Sequence, residues 1–143
     1  MKYIEYLDLP QVPEHLLETP LEIWNKPANI NPNYKNSYTT RRCTPELLEW
    51  VQSIFPFRVS AQYQMFGSQH PVHKDIGRKI AYNYLLDLGG EDVATVVFSD
   101  SFIELQREIL PLKKWHKIEV SYYHVAHPKP NQRRCSLSVT PLD

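Results

Sequence analysis

The sequence predicts a mostly β domain of the jelly-roll class, with one or more helices of the N-terminal region packed on the sheet. The main observation is that seven or eight short strand-like segments follow one another after residue 58, with no helical pattern between them. Such a run is typical of a sandwich or barrel rather than a βαβ sheet, and a jelly roll fits it best. The chain of 143 residues suits a single domain. We expect a loop and helix region at 1–58 and a β core at 59–140.

The first 38 residues contain several prolines, which interrupt any helix before it reaches full length. Residues 13–17 allow one or two helical turns. Residues 25–36 are rich in Asn and Pro, which favour loops for separate steric and hydrogen-bonding reasons. This Asn/Pro segment is either an ordinary surface loop or a lid over a pocket, and the sequence leaves both interpretations open.

A helix is predicted from Pro45 to about Phe55. Thr44 is a suitable N-cap, Pro45 suits the first helical position, and an acidic residue follows in the first turn. Apolar residues recur on one side of this helix, at Leu47, Leu48, Val51, Ile54 and Phe55. That side should therefore pack on the sheet.

The strand-like segments are identified by alternating side chains and by the turn residues or prolines between them. They span residues 59–66, 79–88, 94–99, 102–110, 115–120, a short segment around 124, and 133–139. Gly89 and Gly90 open a turn after the second segment. No internal repeat and no second domain is visible.

Composition argues against several functional classes. Lys and Arg total 16, as do Asp and Glu, so the positive excess of a nucleic-acid binder is missing, although Lys129, Arg133 and Arg134 form a local basic group. No apolar run is long enough to span a membrane, and no signal peptide is visible. With Cys43 and Cys135 as its two thiols, we expect a soluble, cytoplasmic protein with reduced cysteines.

Two good metal ligands lie two residues apart in His73-Lys74-Asp75. If this segment is extended, the imidazole and the carboxylate point to the same side. A third ligand is available downstream in His124 or His127, just before the last apolar segment. Two histidines and one carboxylate form the facial triad of non-haem Fe(II) oxygenases, which leaves coordination positions open for oxygen and a co-substrate.

The last predicted strand carries an arginine on the same face as two hydroxyls. Alternation places Arg134, Ser136 and Ser138 on one side of residues 133–139 and apolar side chains on the other. Arg binds carboxylates through two parallel hydrogen bonds, and a neighbouring Ser can assist. This face is either a binding site for a carboxylate or the exposed face of an edge strand with a solvated charge.

The pattern resembles the signature of the 2-oxoglutarate- and Fe(II)-dependent oxygenase superfamily. That signature consists of a His-x-Asp motif, a second histidine, which here is His124, and an Arg-x-Ser motif, which here begins at Arg134, ten residues after His124. Residues 81–86 and 89–98 are similar to the prolyl-hydroxylase-like branch of that superfamily. The resemblance covers about residues 59–140. It implies a double-stranded β-helix, which is a variant of the jelly roll.

This resemblance also implies roles for individual residues. His73, Asp75 and His124 would bind Fe(II), Arg134 would hold the distal carboxylate of 2-oxoglutarate, and Ser136 would assist. The implied reaction uses O2 to hydroxylate a substrate and releases succinate and CO2.

Several assignments around this constellation stay open. The ten-residue spacing to Arg134 favours His124 over His127 as the third ligand. Tyr63 and Asn83 lie on strands that would line the cavity, so each either contacts the co-substrate or has a structural role. His70 is either an outer neighbour of the metal ligands or a loop histidine.

Two further functions are compatible with the same pattern. One is a jelly-roll binding module that has lost its activity, and the other is a cupin-like, metal-dependent isomerase. The sequence does not identify the primary substrate, because loops select it in this superfamily. We expect a small molecule or a peptide side chain, and neither nucleic acid nor membrane.

Overall fold

The structure is a computed structural model that describes residues 2–32, 34 and 37–142. Its strands are β1 Ile4–Tyr6, β2 Asn29–Ile30, β3 Tyr38–Arg42, β4 Val59–Gly67, β5 Ile80–Asp87, β6 Thr95–Phe98, β7 Glu104–Glu108, β8 Trp115–Glu119, β9 Tyr123–Ala126 and β10 Arg133–Pro141. Its helices are α1 Pro20–Trp24 and α2 Pro45–Ile54, and a 3-10 turn lies at Glu14–Leu16. The fold is therefore mostly β, as the sequence predicts.

Two antiparallel sheets form a sandwich of the jelly-roll class. The large sheet has the strand order β1-β8-β5-β10-β4-β3-β2, and the small sheet has the order β7-β6-β9. Strands that are distant in sequence are neighbours in the large sheet, since β10 lies between β4 and β5. The last strand of the chain thus occupies the middle of the large sheet.

The two faces of β10 have opposite characters. Leu137 pairs with Tyr63 on β4 and with Tyr84 on β5, and all three are buried in the apolar core on the outer side of the large sheet. Arg134 and Ser136 lie on the inner side, between the sheets, and are also buried. The alternation predicted for residues 133–139 is confirmed, and its polar face is enclosed rather than solvated.

Helix α2 covers the outer side of the large sheet. The hydroxyl of Thr44 accepts a hydrogen bond from the backbone N–H of Leu47 at 3.2 Å, as expected of an N-cap. Leu47 and Val51 are completely buried in the outer core against Tyr63. The predicted helix and its packing on the sheet are confirmed, except that Leu48, expected on the packed side, is exposed.

The N-terminal region differs from the expectation of loops and helices alone. It contributes three strands to the large sheet, of which β3 pairs along β4 and β1 pairs with β8. Strands of two or three residues are too short to show a periodic pattern, and β3 ends in the polar run Thr39-Thr40-Arg41-Arg42. These strands are recognised only once their partners are in place.

The free edge of β1 is occupied by a side chain from the small sheet. Gln106 on β7 accepts hydrogen bonds from the backbone N–H groups of Tyr3 and Ile4 through Oε1, both at 2.8 Å. Its Nε2 donates to the carbonyl oxygen of Ile4 at 2.9 Å. One side chain therefore joins the two sheets at this end of the sandwich.

Both cysteines are free thiols and are buried. Among the helices in the described part of the chain, none has the length and apolar character needed to cross a membrane.

Candidate functional site

A cavity of about 330 Å³ lies between the two sheets. Strands β4, β5, β8 and β10 of the large sheet and β6 and β9 of the small sheet provide its walls, and the loop that contains residues 70–78 borders it. The volume is in the range of pockets that bind small molecules. His73, Asp75, His124 and Arg134 are among the residues that line it.

Three of the predicted metal ligands meet at this cavity. His73 and His124 form an antiparallel bridge, in which each backbone N–H donates to the other residue's carbonyl oxygen, at 3.2 and 2.8 Å. The Asp75 N–H donates to the carbonyl oxygen of Val120 at 2.9 Å, so the segment is extended and both side chains project the same way. Asp75 Oδ1 lies 3.5 Å from the Nε2 atom of each histidine.

The hydrogen bonds of the two histidines leave their Nε2 atoms available. Nδ1 of His73 lies 2.9 Å from the carbonyl oxygen of Pro71, and Nδ1 of His124 lies 2.8 Å from that of Tyr122. A carbonyl oxygen only accepts, so each Nδ1 carries the proton and the lone pair of the neutral ring is on Nε2. The three ligand atoms lie within 4.8 Å of one another. Two imidazoles and one carboxylate suit a divalent transition metal, and the cluster fits one.

Arg78 holds the other oxygen of the Asp75 carboxylate. Its Nε donates to Asp75 Oδ2, and its Nη1 donates to the hydroxyl of Thr140 on β10 at 2.8 Å. Burial alone would raise the pKa of the Asp75 carboxyl, but the neighbouring His73 and the charge and hydrogen bond of Arg78 outweigh burial and lower it to about 2. Asp75 is therefore ionised at neutral pH, with Oδ1 directed toward the histidines.

Arg134 is a buried cation on the β10 side of the same cavity. Its guanidinium donates to Thr95 Oγ1 at 2.7 Å and to the carbonyl oxygen of Leu88 at 3.3 Å. Burial lowers the pKa of Arg134 to about 10, so it stays charged at pH 7. No carboxylate in the described residues forms an ion pair with it. Because a buried charge without an ion-pair partner is costly, Arg134 is a candidate binding group for an anionic ligand.

Asn83 and His116 are two further polar residues in the wall of the cavity, and the sequence pointed to Asn83 but not to His116. Asn83 on β5 pairs with His116 on the neighbouring strand β8. His116 is 2% exposed, and burial followed by the charge of Arg134 lowers its pKa to about 3. Alternation in residues 115–120 could have shown that His116 and Ile118 share a face, but not which strand lies opposite.

Aromatic rings form the wall beside His73. The His70 ring lies 4.8 to 5.0 Å from the rings of Tyr34, Tyr38 and Phe66, and 4.6 Å from that of His73. Burial, with the nearby His73, lowers the pKa of His70 to about 3. His70 is thus a neutral neighbour of the candidate ligands rather than a solvated loop histidine.

Two expectations about individual residues are corrected by the structure. Tyr63 does not line the cavity, because it pairs with Leu137 on the outer face of the large sheet and is buried under α2. The basic group near the end of the chain is divided, since Arg134 is buried while the Arg133 guanidinium lies 3.6 Å from the ring centre of the partly exposed Trp24.

The third histidine and the loop before β3 can also be placed. His127 lies outside the ligand cluster, with Nδ1 3.4 Å from the carbonyl oxygen of Ser68. In the Asn/Pro segment, Asn31 and Tyr34 border the cavity. Three residues of the possible lid, Asn33, Lys35 and Asn36, lie outside the described residues.

Sequence comparison does not assign the chain to a family, whereas structural comparison finds similar folds. No family model matches the chain, and no curated protein matches its sequence. The fold is similar to that of the polyketide cyclase RemF from Streptomyces resistomycificus, with 14% identity over 89% of this chain and 81% of that one and a TM-score of 0.52. It is also similar to an oxidoreductase of the 2OG-Fe(II) oxygenase family from Burkholderia pseudomallei, with 10% identity over 82% and 74% of the two chains and a TM-score of 0.53. At such low identity these similarities show the jelly-roll fold alone.

Proposed function

We propose that the chain is an Fe(II)- and 2-oxoglutarate-dependent oxygenase that hydroxylates its substrate and releases succinate and CO2. One observation supports this proposal above the others. A two-histidine, one-carboxylate cluster shares a cavity of about 330 Å³ with a buried arginine that has no carboxylate partner among the described residues. A metal ligand set and an anion-binding group in one pocket match the needs of a co-substrate that chelates a metal at one end and carries a carboxylate at the other.

The side chains have separate tasks in this proposal. His73 and His124 would hold Fe(II) through Nε2 and Asp75 would hold it through Oδ1. Bound there, Fe(II) supplies the redox chemistry with O2. Arg134 and Ser136 would bind the distal carboxylate of 2-oxoglutarate and so orient its keto acid end toward the ligand cluster.

The remaining walls of the pocket would exclude water and receive the substrate. Leu85, Ile118 and Val125 give the interior an apolar lining, and water exclusion strengthens the charged contacts of Arg134. The rings of Tyr34 and Tyr38 border the side next to His73, where a primary substrate would approach. We propose a small molecule or an exposed peptide side chain as that substrate.

The test is an anaerobic titration of 2-oxoglutarate into the Fe(II)-loaded protein. Chelation of Fe(II) by the keto acid end produces a visible charge-transfer band, and we expect the wild-type protein to develop it. Asp75→Ala should bind Fe(II) weakly and show no band. A wild-type protein that binds Fe(II) but develops no band would overturn the proposal, and would favour a binding module or a metal-dependent isomerase.

A second variant separates the two halves of the site. Arg134→Met removes the buried charge but keeps an apolar side chain of similar length. It should retain Fe(II) affinity and lose most of its affinity for 2-oxoglutarate. Equal 2-oxoglutarate affinity in the variant and the wild type would mean that Arg134 does not bind the co-substrate.

A further inference from the structure

A groove of about 650 Å³ lies on the protein surface where β4 ends and β10 begins, and we call it the surface groove. Tyr34 and Phe66 line both this groove and the cavity. Pro71 also lines the groove, and its carbonyl oxygen accepts the hydrogen bond from Nδ1 of the candidate ligand His73. The surface groove therefore continues outward from the side of the cavity next to His73.

Arg133 gives the surface groove a positive charge that no acid in the described part of the chain neutralises. Its exposed guanidinium lies 3.6 Å from the centre of the Trp24 ring, and the buried guanidinium of Arg41 lies 5.0 Å from the same centre. The described residues that line the groove include no Asp or Glu. Since a guanidinium stacked on a ring keeps its N–H donors free in its own plane, Arg133 is available to bind an anion.

The rest of the lining favours a peptide over a nucleic acid. It consists largely of hydroxyl and amide side chains, at Ser37, Ser68, Gln69, Asn131 and Gln132. Such groups donate and accept hydrogen bonds, and so they suit the alternating N–H and C=O groups of an extended peptide. A nucleic acid requires several cations along its phosphates and open aromatic faces for its bases. Among the described lining residues Arg133 is the one cation, and it covers the ring of Trp24.

We infer that the surface groove binds a peptide segment of the substrate, with an Asp or Glu close to the residue that enters the cavity. The planar fork of Arg133 matches a carboxylate. Gly67 pairs with Arg133, and the preceding residue, Phe66, borders the cavity. Because an extended chain advances ~3.3 Å per residue, the acidic side chain would lie about one to three residues from the modified one. That this peptide is the substrate rests on the proposed function.

The experiment compares two pools of random hexapeptides that carry an uncharged dye and blocked ends. One pool has Glu fixed at the third position and the other has Gln there. Fluorescence anisotropy should show that the wild type binds the Glu pool ~10-fold more tightly, because one charge-assisted pair forms. Arg133→Gln should bind the two pools equally. Arg133→Lys should keep part of the preference, since it retains the charge without the planar fork.

Arg42 provides a matched control on the neighbouring strand. It is exposed on β3, follows Arg41 and pairs with Gln62, and it does not line the surface groove. Arg42→Gln thus removes the same charge from the same region and should keep the wild-type preference for the Glu pool. An equal loss of preference in Arg42→Gln and Arg133→Gln would overturn the inference, because net charge alone would then attract the peptide.

The remaining outcomes separate this inference from its rival and from the proposed function. If a labelled dT oligonucleotide binds the wild type more tightly than the Glu pool at physiological salt, and Arg133→Gln weakens that binding, the groove binds nucleic acid and the inference is wrong. Equal wild-type affinity for the two peptide pools also overturns it, while a charge-transfer band with 2-oxoglutarate would leave the proposed function standing. A preference for the Glu pool in a protein without the band supports the acidic-peptide groove and refutes the oxygenase.

Discussion

Acidification should destabilise the protein through the buried histidine His116. Its pKa falls from 6.5 in the unfolded chain to about 3 in the folded one, because burial and then the charge of Arg134 oppose protonation. Between these values the unfolded state binds one more proton than the folded state, so the stability contributed by His116 is present above pH 6.5 and is lost as the pH falls toward 3. Between pH 7 and pH 5 the expected loss is about 2 kcal/mol for this one residue.

The measurement is urea unfolding of the metal-free protein at pH 7, 6 and 5, for the wild type and for His116→Phe. Other acid-sensitive groups, such as His70 and Asp75, contribute equally to both proteins and cancel in the difference. The wild type should lose about 2 kcal/mol more than the variant over this range, which moves its urea midpoint by roughly 1 M. Parallel pH profiles for the two proteins would refute the argument and mean that His116 does not stay neutral in the fold.

Three further predictions concern the metal cluster, a turn and the outer core. Arg78→Gln should weaken Co(II) binding by ~10-fold to 100-fold, as followed by visible absorption, because Asp75 loses the contact that fixes its carboxylate. Gly89→Ala should lower the melting temperature through a loss of ~1 to 3 kcal/mol, since the residue has a φ of +82° and a Cβ would lie 2.7 Å from Cβ of Pro128. Leu47→Ala should cost ~2 to 5 kcal/mol in urea unfolding and leave ligand affinity unchanged, because this side chain packs on the side of the sheet away from the cavity.

For each of these three predictions, a specific result would contradict the reasoning. Tighter Co(II) binding by Arg78→Gln would show that the arginine acts mainly by repelling the metal. An unchanged melting temperature in Gly89→Ala would mean that the neighbouring proline moves away freely. Altered 2-oxoglutarate affinity in Leu47→Ala would show that the outer core and the cavity are coupled through the large sheet.

Features carried by local sequence could be predicted. The N-cap and apolar stripe of α2 lie within a dozen residues, and the two faces of β10 follow from simple alternation. The pair His73 and Asp75 was also recognisable, because the extended segment places both side chains on one side. Such patterns depend on backbone geometry alone, so they need no knowledge of the neighbouring strands.

Features that depend on strand order and register could not be predicted from one sequence. Alternation divides β4 into two faces, but only the pairing of Tyr63 with Leu137 shows that Tyr63 belongs to the outer core. His116 meets Asn83 only because β8 lies beside β5. The contact of Arg134 with Thr95 likewise joins residues 39 positions apart on different sheets.

The bond pattern of Gln106 affects how the protein behaves toward other copies of itself. An edge strand presents unpaired N–H and C=O groups that another chain can extend into a continuous sheet. Gln106 supplies a donor and an acceptor to the free edge of β1 in the manner of a neighbouring backbone. The N–H and C=O groups of Ile4 are therefore not available to pair with a strand of a second molecule. The amide of Gln106 thus opposes edge-to-edge pairing of two molecules at the start of β1.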